Sequence, residues 1–154
     1  MALDKSILEK GIKDLQDNHP SKEDAPKKWA KLIFDYATGG MAGDTKPTFA
    51  GYPVALEAKI KTSMDAGELL IKLGTNVEPM WKSAIWASST FTGVTAVVVG
   101  ADLDSAMEKV GEQIKKGEKD PIIELAKEID TWTKKIKVTL TNIQSGATSV
   151  VPLS

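Results

Sequence analysis

The sequence predicts a mainly α-helical protein, with five to six helices in a compact bundle and a small β element at residues 94–99 and 135–141. Apolar residues recur at helical spacing over most of the chain, and proline, glycine and polar runs divide them into segments. Two short stretches break this rule. The clearer one follows Trp132, where Ile136, Val138 and Leu140 alternate with Lys and Thr as on a half-buried strand.

The first two predicted helices are short and amphipathic. The first ends near Pro20, and its apolar face is formed by Leu3, Ile7, Leu8, Ile12 and Leu15. The second has Asp24 as its predicted N-cap and an apolar face running from Trp29 to Tyr36, and Gly39-Gly40 ends it. Residues 40–52 follow with three glycines, a proline and little periodicity, which predicts an exposed loop that becomes ordered only against a partner.

Four further helices are predicted beyond this loop. The third covers Pro53 to Leu73 and stops at Gly74-Thr75-Asn76, and the fourth runs from Glu78 to about Ser88 with Pro79 in its first turn. The fifth begins near Asp102, and Pro121 opens the sixth.

The two β segments need pairing partners, because unpaired backbone groups are costly to bury. Residues 94–99 lie in a stretch rich in β-branched residues, and they could pair with residues 135–141. Alternatively, a neighbouring molecule supplies the edge. Residues 144–154 are rich in Gly, Ser and Thr, so we expect a domain over residues 1–143 and a loose tail at 144–154.

Composition disfavours several classes of function. The net charge of −1 gives no field that attracts nucleic acid, and all 20 basic residues are Lys, so the planar guanidinium fork that clamps phosphate is missing. The chain contains no cysteine, hence no disulfide or thiolate site. The first residues lack the apolar run of a signal peptide, and the apolar run Val94 to Val99 is far below the roughly 20 residues of a membrane span.

The sequence offers no catalytic, cofactor-binding or metal-binding set, and we expect the protein not to be an enzyme. His19 is the only histidine, and it stands beside Pro20, which indicates a solvated cap residue. Asp102, Asp104 and Glu108 lack the spacing of a calcium loop and are interpreted as a helix N-terminus. Neither a phosphate-binding nor a dinucleotide-binding glycine pattern occurs.

The four tryptophans are first of all candidate core anchors. Trp81 and Trp86 fall in one predicted helix, five residues and therefore about 140° apart, so both cannot lie centrally on one narrow face. We therefore expect one of them, Trp86, to face another subunit.

Three patterns resemble small structural proteins of tailed bacteriophages. One is a helical set near the start, composed of Ala25, Trp29, Ala30, Ile33, Tyr36 and Ala37. The second is Ala84-Ile85-Trp86 before a glycine-containing extended segment, and the third is the ending from Ile129 through Trp132 to Thr141. The resemblance implies no catalytic residues. It implies a ring or lattice of copies, with the terminal Thr-rich strand and the central loop as contacts.

We therefore expect a structural subunit of the virion, made in the host cytoplasm and most consistent with a neck, head–tail connector or tail component. Its partners would be further copies of itself and neighbouring virion proteins, not a membrane or a specific nucleic acid. Candidate interface residues are Phe49, Tyr52, Trp86, Lys137, Thr139 and Thr141. Two alternatives stay open: a helical adaptor that binds one protein client, and a small hydrolase that uses carboxylates.

Overall fold

The computed structural model describes residues 2–154, which form six α-helices and one five-stranded antiparallel sheet. The helices are α1 (Lys5–Asn18), α2 (Asp24–Ala37), α3 (Val54–Asp65), α4 (Leu73–Lys82), α5 (Gly100–Lys115) and α6 (Pro121–Thr133). The strands are β1 (Lys46–Thr48), β2 (Ile85–Ala87), β3 (Phe91–Val97), β4 (Lys137–Asn142) and β5 (Thr148–Pro152), and they lie in the sheet in chain order. The protein is thus mainly helical, but its β element is much larger than predicted.

Local sequence explains where most helices begin and end. Asp4 accepts a hydrogen bond from the Ser6 amide at 2.9 Å at the start of α1, and His19 ends that helix in the left-handed region with φ 43°. Asp120 caps α6 just before Pro121. The prediction of Asp24 as the N-cap is wrong by one residue. Asp24 is the first residue of α2, and its amide donates to Ser21 Oγ at 3.1 Å.

The third and fourth predicted helices differ most from the structure. Helix α3 ends at Asp65, and Gly67, with φ 72°, lies in the turns that lead to α4. The triplet 74–76 therefore lies within α4 rather than at a helix stop, and Pro79 lies inside that helix. The periodic stripe continues across this break because the residues on both sides pack on the same core.

The two predicted β segments pair with each other inside one chain. Strand β3 pairs with β4 in antiparallel register, with Val94 opposite Thr139, so no neighbour is needed on that side. On the other side β4 pairs with β5, which lies within the segment 144–154 that was predicted to be a loose tail. That prediction is wrong because Leu153 is buried and its amide donates to the Ile136 carbonyl at 3.0 Å.

The segment 40–52 is not the exposed loop that its glycines indicated. It contains β1, and Thr45, Pro47 and Phe49 alternate inward as on any half-buried strand. Ala42 and Thr45 exchange backbone hydrogen bonds of 2.9 and 3.0 Å, and Ala42 also bridges to Leu153 at the end of β5. The segment therefore links β1, the strand at one edge of the sheet, to the residues that follow β5 at the other edge.

The core lies between the helices and the inner face of the sheet. Trp81 of α4 and Trp86 of β2 stack with ring centroids 6.2 Å apart, and Phe49 meets Trp81 edge-on at 5.2 Å. All four tryptophans are buried. Trp81 and Trp86 both point inward because the chain changes from helix to strand between them, which removes the geometric conflict expected for a single helix.

Candidate subunit interface on the outer face of the sheet

The sheet presents one face to the core and the other to solvent. The inner face includes Trp86, Val138 and Leu140, which are all at most 3% exposed. The outer face consists of the alternate residues of each strand: Lys46, Thr48, Ile85, Ala87, Thr92, Val94, Val97, Lys137, Thr139, Thr141, Thr148, Val150 and Pro152.

An apolar row crosses the centre of this outer face. Ile85 lies opposite Val94, Val94 opposite Thr139, and Thr139 opposite Val150, so four strands contribute one residue each. Ile85, Val94 and Val150 are 59%, 65% and 58% exposed. With a strand spacing of about 4.8 Å, the row is roughly 14 Å long. Ile85 and Val94 are adjacent, and Thr139 separates them from Val150. Clusters of exposed apolar side chains are typical of interaction surfaces.

Charge separates this face from the helical surface. The outer face carries Lys46 and Lys137 but no acidic residue. The helices instead carry Lys–Asp and Lys–Glu pairs four residues apart, such as Lys13–Asp17 and Lys61–Asp65. The outer face of the sheet thus carries fewer charged residues than these helical surfaces.

Hydrogen bonds and packing on the inner face determine which side of the sheet lies against the core. The Trp86 indole N–H donates to Thr95 Oγ1 at 3.1 Å, and the Thr95 hydroxyl donates to the Trp81 carbonyl at 2.5 Å. A Cβ at Gly93 would lie 2.8 Å from Leu140 Cδ2 and 3.1 Å from Trp86 Cβ. Glycine therefore lets these two large side chains close over β3 on the inner side, which leaves the β-branched residues outside.

The structure brings only part of the predicted interface together. Lys137, Thr139 and Thr141 lie side by side on the outer face in β4. Phe49 and Trp86 are 8% and 1% exposed, so as core residues they offer almost no surface to a neighbour, and their assignment is corrected. Tyr52 is half-buried beside the core.

Sequence reasoning misses Ile85, Val94 and Val150 as interface candidates. Ile85-Trp86-Ala87 gives no alternating signal, because all three residues are apolar and follow directly on a helical pattern. Val150 lies in the segment predicted to be loose.

The one buried cluster of titratable groups links α2 to α6 within the described residues. The Tyr36 hydroxyl donates to Asp130 Oδ1 at 2.7 Å, and Lys134 Nζ donates to Asp130 Oδ2 at 2.9 Å. Burial, followed by the hydrogen bond and the charge of Asp130, raises the pKa of Tyr36 well above its ordinary value. Both carboxylate oxygens are thus occupied by protein donors, so the cluster acts as a structural link between the helices.

Two acidic residues cap each other's helices where α4 and α5 meet. Glu78 of α4 accepts a hydrogen bond from the Gly100 amide at 2.7 Å, and this bond holds the pKa of Glu78 below its ordinary value. Asp104 of α5 accepts from the Thr75 amide at 3.1 Å. Asp104 therefore serves the start of α4, not a cation. Within residues 2–154, no group of three or more His, Asp or Glu side chains is arranged to hold a metal ion.

An open groove of about 490 Å³ lies between α5 and the turns that follow α3. Its apolar lining includes Leu70 and Met107, and its acidic residues are Glu68, Glu108 and Glu112.

No helix within residues 2–154 combines the length and the apolar character required to cross a membrane. Comparison of the chain with protein-family models, with curated proteins and with solved structures found no match.

Proposed function

We propose that this chain is a structural subunit of a tailed-bacteriophage particle, in the neck, head–tail connector or tail, and that it acts through repeated contacts between subunits. The observation that carries the proposal is the outer face of the sheet, with its exposed row of Ile85, Val94 and Val150. The resemblance of three segments to small phage structural proteins supports the type of assembly.

A neighbouring subunit that covers this face would bury its exposed side chains at little electrostatic cost. Each exposed β-branched side chain would contribute roughly 1 kcal/mol or more on burial, and the surrounding threonines can bond to a neighbour without the cost of desolvating a charge. Lys137 and Lys46 would favour an acidic or carbonyl-rich partner at the border. A subunit that meets many identical neighbours needs such a broad, weakly charged surface.

Purified particles test the virion assignment. In particles isolated from the bacterial culture that produces this chain, quantitative mass spectrometry should find it in stoichiometric amount with the main structural proteins. Its absence from intact particles would contradict the proposal.

Variants of the outer face test the surface. Val94→Lys places a charge at the centre of the apolar row without touching the core, so the protein should fold and fail to enter particles. Thr131→Lys, at an exposed position of α6, is the matched control and should be incorporated normally. Normal incorporation of Val94→Lys would remove the outer face from the contact surfaces.

The groove between α3 and α5 favours a second candidate function, an adaptor for one protein client. Its apolar floor and acidic border suit a basic amphipathic segment. Native mass measurement separates the two functions: a stable one-to-one complex with a host protein supports the adaptor, and incorporation in many copies supports the structural subunit.

A further inference from the structure

The two edges of the sheet differ in the backbone groups that they leave free. In β5, the Ala147 carbonyl accepts from Asn142 and the Leu153 amide donates to Ile136, so the odd-numbered residues of β5 bond to β4. The amides and carbonyls of Thr148 and Val150 therefore point away from the sheet. Ser154 continues this parity, since it exchanges two hydrogen bonds of 3.0 Å with Met41 on that same side.

The β1 edge is poorly suited to accept another strand. Strand β1 has only three residues, and its central residue is Pro47, which has no amide hydrogen to donate. The β5 edge has five residues, no charged side chain and no proline before Pro152. Natural edges of this length are normally protected by charge, proline or a bulge. An unprotected β5 edge together with a blocked β1 edge excludes head-to-tail pairing of β5 with β1.

We infer that β5 pairs with β5 of a second copy of this chain, in antiparallel orientation around a two-fold axis. The inference rests on the proposed function only for the statement that the subunit meets copies of itself. The occupant is a second copy because the free edge is self-complementary: uncharged, with donors and acceptors at both Thr148 and Val150.

The free groups also fix the register. Met41 and Ala42 already cover the edge beside Ser154 and Leu153, which confines the partner strand to residues 148–152. A pairing centred on Ser149 places Thr148 of each copy opposite the other copy's Val150, and all free donors and acceptors of these two residues are satisfied. Residue Pro152 then lies at the end of the pairing, where its missing amide hydrogen is harmless. The two outer faces join into one continuous face.

Cysteine cross-linking tests the pairing in the purified full chain, which contains no native cysteine. Opposed residues of a non-hydrogen-bonded antiparallel pair have Cα atoms about 4.5 Å apart, within the range of a disulfide. Ser149→Cys should therefore form a disulfide-linked dimer at least about tenfold faster than Ser89→Cys, an exposed control in the turn between β2 and β3. Equal rates for the two variants would overturn the inference.

Two second-site changes in the Ser149→Cys background test the role of the edge. Val150→Pro removes a donor that faces the partner and leaves the bonds to β4 intact, so cross-linking should slow to the Ser89→Cys rate. Val150→Lys, which places two lysines close to the two-fold axis, should give the same result even if the proline variant fails to fold. Unchanged cross-linking in a folded variant would contradict the pairing. The cross-linking measurements use purified protein and test only the β5 pairing. They can contradict that pairing while the chain is still found in particles, and they can support it when the chain is absent from particles.

Discussion

Gly74 and Gly100 lie against each other where α4 crosses the start of α5. A Cβ atom at Gly74 would lie 2.0 Å from the Gly100 carbonyl oxygen and 2.8 Å from Leu103 Cβ, and a Cβ at Gly100 would lie 2.4 Å from the Gly74 carbonyl oxygen. The obstructing atoms belong mainly to the backbone, so no side chain can rotate away. This contact brings Glu78 of α4 within hydrogen-bonding distance of the first turn of α5, and Asp104 of α5 within hydrogen-bonding distance of the first turn of α4.

We expect Gly74→Ala to destabilise the protein by about 2–3 kcal/mol, because the added methyl group must push α4 and α5 apart. Gly111→Ala is the matched control in α5, since a Cβ there meets only Leu70 Cδ1 at 3.9 Å. The control should be neutral or stabilising by up to about 1 kcal/mol, because alanine favours a helix. Urea unfolding of both variants measures the difference, and equal stabilities would show that the helices separate at no cost.

Glu78 should make stability depend on pH. Its pKa in the folded protein lies below the ordinary value of 4.5, chiefly because of the hydrogen bond from the Gly100 amide, with a smaller effect of Lys82. Stability from the ionised carboxylate is therefore present above pH 4.5 and is lost as the pH falls through the lower folded-state pKa. Glu78→Gln should cost about 1 kcal/mol at pH 7 and progressively less below pH 4.5.

The control for this experiment is Glu9→Gln, a partly exposed residue of α1 that is paired with Lys5 at 3.5 Å. Its unfolding free energy should change little at either pH, because exposed pairs of this kind contribute little. A difference between wild type and Glu78→Gln that stays constant from about pH 7 to about pH 3 would show that the carboxylate charge does not contribute to stability.

Tyr36→Phe tests the buried link between α2 and α6. The substitution leaves Asp130 Oδ1 without its donor at a site that is only 8% exposed, so we expect a loss of about 1–3 kcal/mol. The half-buried Tyr52→Phe is the comparison and should cost less. Thermal unfolding followed by circular dichroism measures both; a Tyr36→Phe variant as stable as wild type would mean that Lys134 alone satisfies the carboxylate.

Thr139→Pro and Val150→Pro should behave differently although the two residues are direct neighbours on the outer face. Every second residue of an antiparallel strand bonds to the same neighbouring strand. The Ile143 amide donates to the Thr90 carbonyl, so Thr139, four residues earlier, also bonds to β3 inside the sheet. A proline at position 139 should therefore cost about 3 kcal/mol or more. Val150 faces the free edge, and its proline variant should keep the far-ultraviolet spectrum and melting temperature of wild type. If both variants are equally destabilised, β5 is not an edge strand.

Local chemistry in the sequence was enough to predict the helices whose ends it marks. Pro20 predicted the end of α1 and Pro121 the start of α6, because a proline restricts the backbone of its own neighbours. The caps Asp4 and Asp120 were found only in the structure. The alternation at Ile136, Val138 and Leu140 likewise predicted β4, since a period of two places every second side chain on the buried face of a strand. Of the candidate interface, this alternation located Lys137, Thr139 and Thr141.

The rest of the sheet and the ends of α3 and α4 depend on contacts between distant parts of the chain. Strands β1, β2 and β5 have three to five residues each, too short for a periodic signal, and they are stable because each pairs with a neighbouring strand. The same pairing turned Trp86 into the core and placed Ile85, Val94 and Val150 in one exposed row. Residues from three separate strands can form such a surface only after the sheet has set their register, because a shift of one residue would exchange the inner and outer faces.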